Sequence, residues 1–251
     1  MALPQAFLNH LRQEGYHPRS NKHSNSLARA IVADLTANCP VMAQRAAAGE
    51  LVYALNFDLR YRTSTWNVDL VLGTPPPHTT PPTDGPIKEM PPSTVQIAIE
   101  IKSVMTEHRK AVKNRKRDLE AHHEHTHNYS TDTLAGGVLV VNASPTFHSP
   151  LRPEATQHKK PLSLVTHCVN EMRHVTMRGQ PGGRGLDANT VLVVSMDNIN
   201  PETTTFRDGQ PAPAVGDPLH YDSFIQRLCN NYQTRVADAG NTRHVSGAAG
   251  G

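Results

Sequence analysis

The sequence predicts an α/β fold in which a central mixed β-sheet is flanked by helices, and three observations lead there. Segments with apolar residues at helical spacing alternate with segments of strand-like alternation. Three of the strand-like segments follow one another early, as a meander does. Two later runs, Val138-Leu139-Val140-Val141 and Val191-Leu192-Val193-Val194, are apolar throughout, as strands covered on both faces are. The resulting order is helix, three strands, helix, strand, helix, strand, helix, and the apolar faces of such a set bury best as helices packed on a sheet.

The elements follow from local patterns. Leu27, Ile31, Val32 and Leu35 recur at helical spacing over 24–35, with Ser24 or Ser26 as the capping residue. A short helix is expected over 41–48, ended by Gly49. From 51 to 62, Leu55, Phe57, Leu59 and Tyr61 alternate with Asn56, Asp58, Arg60 and Arg62, the pattern of a half-buried strand. Thr63-Ser64-Thr65 turns it back into a second strand, Trp66 to Gly73. Residues 74–94 hold eight prolines and predict an extended loop inserted at a hairpin tip. A third strand covers Val95 to Ser103, and a mostly polar helix with a thin apolar stripe runs over 106–123. Strands over 134–142 and 190–196 and helices over 163–177 and 222–236 complete the set.

At 251 residues, with 37% apolar and 19% charged content, the chain suits one domain over 1–236, followed by a small polar tail, 237–251, expected to be disordered. No run of apolar residues is long enough to span a membrane, and the start lacks the pattern of a secretory signal. Cys39, Cys168 and Cys229 are an odd, scattered trio without metal-ligand spacing, which predicts buried free thiols and a cytoplasmic protein. Aromatic residues make up only 5%, which disfavours a single-strand binder built on base stacking.

The residues that carry chemistry are Asp69 on the second strand and Glu100 and Lys102 on the third. Side chains on a strand alternate faces, so Ile97, Ile99 and Ile101 enter a core while Ala98, Glu100 and Lys102 emerge together on the other side. In the second strand Val68, Leu70 and Leu72 share one face and Asp69 takes the opposite one. If the two strands pair, Asp69 lies beside Glu100. Two carboxylates and an ammonium so arranged suit a divalent metal held against a phosphodiester: Asp69 and Glu100 as ligands, the Ile101 carbonyl as a third, and Lys102 beside an attacking water.

These residues, Asp69 with Glu100-Ile101-Lys102, resemble the motif of the PD-(D/E)xK nuclease superfamily, to which many restriction endonucleases belong. Val68 stands where that motif often has proline. The order of elements from 24 to 196 is also similar to the restriction endonuclease-like core. The resemblance implies a Mg2+-dependent endonuclease whose catalytic residues are Asp69, Glu100 and Lys102. It implies in-line hydrolysis of double-stranded DNA to 5′-phosphate and 3′-hydroxyl ends. A bacterial restriction-type enzyme acting as a homodimer is the first expectation, because cutting two strands needs two sites and one domain offers one. Alternatives are a nicking, junction-resolving or modification-dependent nuclease of the same superfamily, or a DNA-binding protein on this fold without catalysis.

A basic block follows the third strand: Arg109, Lys110, Lys113, Arg115, Lys116 and Arg117 against Glu107. Lys110, Asn114 and Arg117 form one helical row and Arg109, Lys113 and Lys116 another, and either suits a DNA backbone. Asn114 and Arg117 also match the edges of adenine and guanine. His122-His123-Glu124-His125-Thr126-His127 brings His123 and His127 to the spacing of a zinc-binding helix, but a helix end without an apolar scaffold weakens that reading. The glycine-rich run 178–185 reads as a surface loop, and Trp66 as core or hairpin packing.

Overall fold

The computed structural model describes residues 3–79, 81 and 87–237. Helices α1 (Gln5–Glu14), α2 (Lys22–Asn38) and α3 (Pro40–Ala47) precede strands β1 (Val52–Tyr61), β2 (Ser64–Thr74), β3 (Lys88–Glu89) and β4 (Thr94–Val104). Then come helix α4 (His108–Tyr129), strand β5 (Leu134–Asn142), a small antiparallel pair β6 (Thr146–Phe147) and β7 (Thr156–Gln157), and helix α5 (Pro161–Arg173). Strands β8 (Ala188–Ser195) and β9 (Thr205–Phe206) and helix α6 (Tyr221–Tyr232) follow. Seven strands make one sheet in the order β3-β1-β2-β4-β5-β8-β9. Pairs β1–β2, β2–β4 and β8–β9 are antiparallel, while β4–β5, β5–β8 and β1–β3 are parallel. The fold is therefore α/β, a mixed sheet flanked by helices.

Helices cover both faces. On one, Phe7 and Leu11 of α1, Leu27, Ile31 and Leu35 of α2, Met42 of α3 and Phe224, Ile225 and Leu228 of α6 pack on Leu70, Leu72, Ile97, Ile99, Ile101, Val138 and Leu192. On the other, Val112 and Leu119 of α4 and Val165, Cys168 and Met172 of α5 pack on Leu139, Val141, Val191 and Val193. β5 is buried along its whole length, which is why it reads as a continuous apolar run instead of an alternation. Gly137 sets the height of α4: a Cβ there would stand 3.2 Å from Leu119 Cδ2 and 2.7 Å from Leu186 Cδ1. The missing side chain lets α4 settle against the centre of the sheet.

Several expectations need correction. Helix α1 is not evident in the sequence, because Phe7, Leu8 and Leu11 are its only buried residues. Ser24 does not cap α2, which begins at Lys22; its hydroxyl donates to the Asn21 carbonyl at 3.1 Å. Lys88 and Glu89 lie within the proline-rich 74–94 segment yet join the sheet edge beside β1. Residues 80 and 82–86 of that segment, and 238–251 of the tail, lie outside the described residues. Helix α4 runs on to Tyr129, and its buried face is made largely of His108, His122, His123 and His127. The expected lack of an apolar scaffold around the histidines is thus wrong. Buried imidazoles are themselves the core side of the helix, and a hydropathy pattern scores them as polar.

Cys39 and Cys229 form a disulfide with Cα atoms 5.4 Å apart, so only Cys168 is the buried free thiol expected of all three. Partners separated by 190 positions leave no signature in local spacing. Among the described residues no helix is long and apolar enough to cross a membrane.

Candidate active site

The site lies where two paired strands part company. β2 and β4 pair from Thr74–Thr94 to Leu70–Ile99, with a bulge at Leu72/Gly73, and the ladder stops there. Beyond it β2 stays with β1 only, while β4 continues beside β5 to Val104. Asn56 marks the place on β1. It has φ 49°, and the β1–β2 register passes from Leu55–Leu70 to Phe57–Val68 without pairing it. A left-handed residue inside a strand turns the chain over. Phe57, Leu59 and Val68 accordingly pack with Ala54, Val71 and Ala98, on the face opposite Leu70 and Leu72. The expectation that Val68 shares a face with Leu70 and Leu72 fails for this reason.

The N-terminus of α2 braces the kink. Asn21 Nδ2 donates to Asn56 Oδ1 at 3.0 Å, and Asn56 Nδ2 donates to Asn25 Oδ1 at 3.0 Å. Asn67 Nδ2 donates to the Asn56 carbonyl at 3.0 Å. No hydrophobic pattern reveals this asparagine cluster. Its one signal is an Asn inside an otherwise regular alternation.

Asp69, Glu100 and Lys102 meet in the wedge between the strands. Past the last ladder pair the Ile101 N–H donates to Asp69 Oδ2 at 2.7 Å, so a side chain takes over where the backbone partner ends. The N–H and C=O of one strand residue point the same way, which turns the Ile101 carbonyl towards the same wedge. Lys102 Nζ donates to Glu100 Oε1 and stands 4.0 Å from Asp69 Oδ2. The three residues picked from the alternation are therefore in contact, with Ile101 beside them.

Burial governs the charges. It holds the Asp69 carboxyl above its ordinary value although Lys102 and the Ile101 N–H pull it down. Glu100 is pushed up to about 7, first by burial and then by the negative charge of Asp69. Burial acts against the Lys102 ammonium, but Glu100 and Asp69 outweigh it and raise Lys102 above the usual lysine value. Asp118 of α4 adds negative charge to the same pocket and is paired with Arg115 Nη1 at 2.8 Å. Two carboxylates share one ammonium here, leaving an excess of negative charge. Glu100 Oε2 is buried with no hydrogen-bond partner. Both features fit a divalent cation on oxygen ligands. Among the described residues no three His, Cys, Asp or Glu side chains converge as a metal site, so a cation in the wedge would also need the Ile101 carbonyl and water.

Helix α4 crosses the site with two different edges. Lys116 Nζ lies 3.9 Å from Glu171 of α5, and Glu120 accepts from the Thr176 N–H, so that edge faces α5. On the other edge Asp118 faces the Glu100 pocket and His125 stacks on Trp66 of β2 with ring centroids 4.6 Å apart. At 100° per residue, Asn114 flanks the second edge, Lys110 and Arg117 point away from the sheet next to it, and Arg109 and Lys113 go with Lys116. Arg109, Lys110, Lys113, Asn114 and Arg117 are all exposed. The histidines take different partners: His122 faces Ala98 and Glu100, His125 covers Trp66, and His123 bonds Glu120 with its ring centroid 6.1 Å from that of His127. His122 belongs to the site and is not singled out by the sequence, since its neighbourhood depends on a helix crossing above β4. Comparison of the chain with protein-family models, with curated proteins and with solved structures finds no match.

Proposed function

We propose that this protein is a Mg2+-dependent endonuclease of the PD-(D/E)xK type, acting on double-stranded DNA. The observation that carries the reading is the wedge itself: strands that stop pairing at Leu70–Ile99, with Asp69, Glu100, Lys102 and the Ile101 main chain gathered beyond the last pair. Asp69, Glu100 and the Ile101 carbonyl would hold the ion. Such an ion, when bound, lowers the pKa of a water and offsets charge on the phosphoryl oxygens. Lys102 acts as a cation, not a base, because two carboxylates hold its proton on. Its ammonium orients the attacking water and stabilises the oxyanion that develops at phosphorus. The Ile101–Asp69 hydrogen bond fixes one carboxylate oxygen, so the other is aimed instead of free to swing.

Lys110 and Arg117 extend from the solvent side of α4 as phosphate contacts, with Asn114 nearer the wedge to meet a base edge. Arg109 and Lys113 lie further round and add to the field rather than to contact. Cutting both strands follows from two copies of the chain, each contributing one wedge.

Incubation with plasmid DNA tests this. Cleavage that needs Mg2+ and is lost in Asp69→Ala and Lys102→Ala is the expected result. Nicked circles without linear product would favour a single-strand cutter of the same chemistry. Binding without cleavage by any version would overturn the enzyme reading.

A further inference from the structure

A buried carboxylate oxygen without a donor is uncommon, because it loses its water without gaining a hydrogen bond. In Glu100, Oε1 accepts from Lys102, while Oε2 is buried and has no partner. Facing it, 3.9 Å away, is Nδ1 of His122, which is equally buried and equally without a partner. The other ring nitrogen, Nε2, lies 3.2 Å from the Ala98 carbonyl. A carbonyl only accepts, so Nε2 carries the ring proton and Nδ1 presents a lone pair. With Glu100 ionised both atoms present only lone pairs, and two lone pairs cannot bond one another. Asn, Gln, Ser or Lys at position 122 would bring a donor to the same spot.

Helix α4 is held at this height by the close approach of Leu119 to Gly137, which pairs with Glu100 across β4 and β5. The ring therefore has no room to retreat. Its bond to Ala98 prevents a flip that would offer Glu100 an N–H.

We propose that His122 is a positioning residue that withholds a hydrogen bond from Glu100, leaving Oε2 to be satisfied by a divalent cation. This rests on the nuclease reading above. Because no protein donor pins Oε2, the carboxylate turns towards an arriving ion without breaking a bond at that oxygen. The unpartnered oxygen makes the cation-free protein less stable, and the ion recovers that difference as affinity. Affinity and stability are thus opposed at this position. A residue that merely filled space would move both the same way.

Calorimetric titration with Mn2+ in the absence of DNA, alongside thermal melts without metal, separates the two. His122→Gln supplies an amide with two N–H donors, one for Ala98 and one for Glu100 Oε2. It should bind Mn2+ about tenfold or more weakly, the fold-change carried by a hydrogen bond to a charged acceptor, and melt about 2–4 °C higher than wild type. His122→Phe keeps the volume but brings neither donor nor acceptor. It should hold Mn2+ within about threefold of wild type while melting lower for want of the Ala98 bond. Equal Mn2+ affinity in His122→Gln and wild type would overturn the inference, as would a tenfold loss in His122→Phe. Glu100→Ala is the control for the site: if it binds Mn2+ as wild type does, the metal reading and this inference fall together.

Discussion

Two buried carboxylates, Asp187 and Glu100, sit in the same sheet-and-helix frame and are treated in opposite ways. Asp187, at the start of β8, accepts from the Ala135 N–H at 2.8 Å and from Arg235 Nη1 at 2.6 Å, with Arg178 Nη1 at 3.5 Å. Arg178 in turn donates to the carbonyls of Gly183 and Thr131, so both sides of that ion pair are satisfied. Glu100 has one donor, Lys102, and an oxygen left empty. A fully bonded buried ion pair holds loops in place. A half-bonded one keeps capacity for something that is not part of the chain.

The strongest way to break this comparison is a reciprocal pair of substitutions. Asp187→Ala strands Arg178 in the interior and should cost about 3–5 kcal/mol of stability, read from denaturant midpoints, while the folded fraction cleaves DNA at an unchanged rate. Glu100→Gln should do the reverse, lowering the cleavage rate by about 10²–10³-fold with stability unchanged or higher. If Glu100→Gln unfolds the protein as Asp187→Ala does, Glu100 belongs to the scaffold and the contrast disappears.

The disulfide tests the scaffold side next. α6 carries Cys229, and the residues that follow it carry Arg235, the partner of Asp187. Opening the bond to Cys39 frees a loop closed across 190 positions and should lower stability by about 2–5 kcal/mol, measured as a denaturant midpoint with and without reductant. Mn2+ affinity at the wedge should not change. A parallel loss of metal binding would show that the two regions are one.

The pH dependence separates the carboxylates more gently. Glu100 has its folded value raised to about 7, so the folded state holds a proton that the unfolded chain has already released. Its contribution to stability is complete below the ordinary glutamate value and is lost as pH rises towards 7. His122 and His127, pushed down to about 3 by burial, act with the opposite sign and lose stability as pH falls below the ordinary histidine value. Both histidines remain in Glu100→Gln. The stability of wild type minus that of the variant should therefore fall by on the order of 2 kcal/mol between about pH 4.5 and 7. A flat difference would mean that Glu100 is ionised throughout.

Legibility in the sequence followed the same division. Asp69, Glu100 and Lys102 could be found because alternation on a strand is a local rule, and Ile97, Ile99 and Ile101 announce the opposite face. The sheet strands 134–142 and 190–196 were clear because continuous apolar runs have few other uses. Asn56 and His122 are not legible, since each acquires its role from an element distant in the chain. Cys39 and Cys229 were hidden for the same reason. The histidine face of α4 escapes a hydropathy pattern because a residue polar by composition can be buried as a core side chain.

The smallest effect concerns α4, whose two basic rows differ only in azimuth. Arg117→Ala and Lys110→Ala remove charges on the solvent side of α4 that adjoins the Asp118 edge, and each should weaken DNA binding a few-fold near physiological salt. Each should also reduce the slope of log affinity against log salt by about 1, the signature of a lost phosphate contact. Arg109→Ala and Lys113→Ala, on the edge that Lys116 shares with α5, alter only the long-range field and should leave that slope nearly unchanged. Because all four residues are exposed and lie on one helix, stability cannot account for a difference between them. The comparison of slopes therefore reads orientation alone. Equal slopes in both rows would mean that DNA approaches along the top of α4 and not from the wedge.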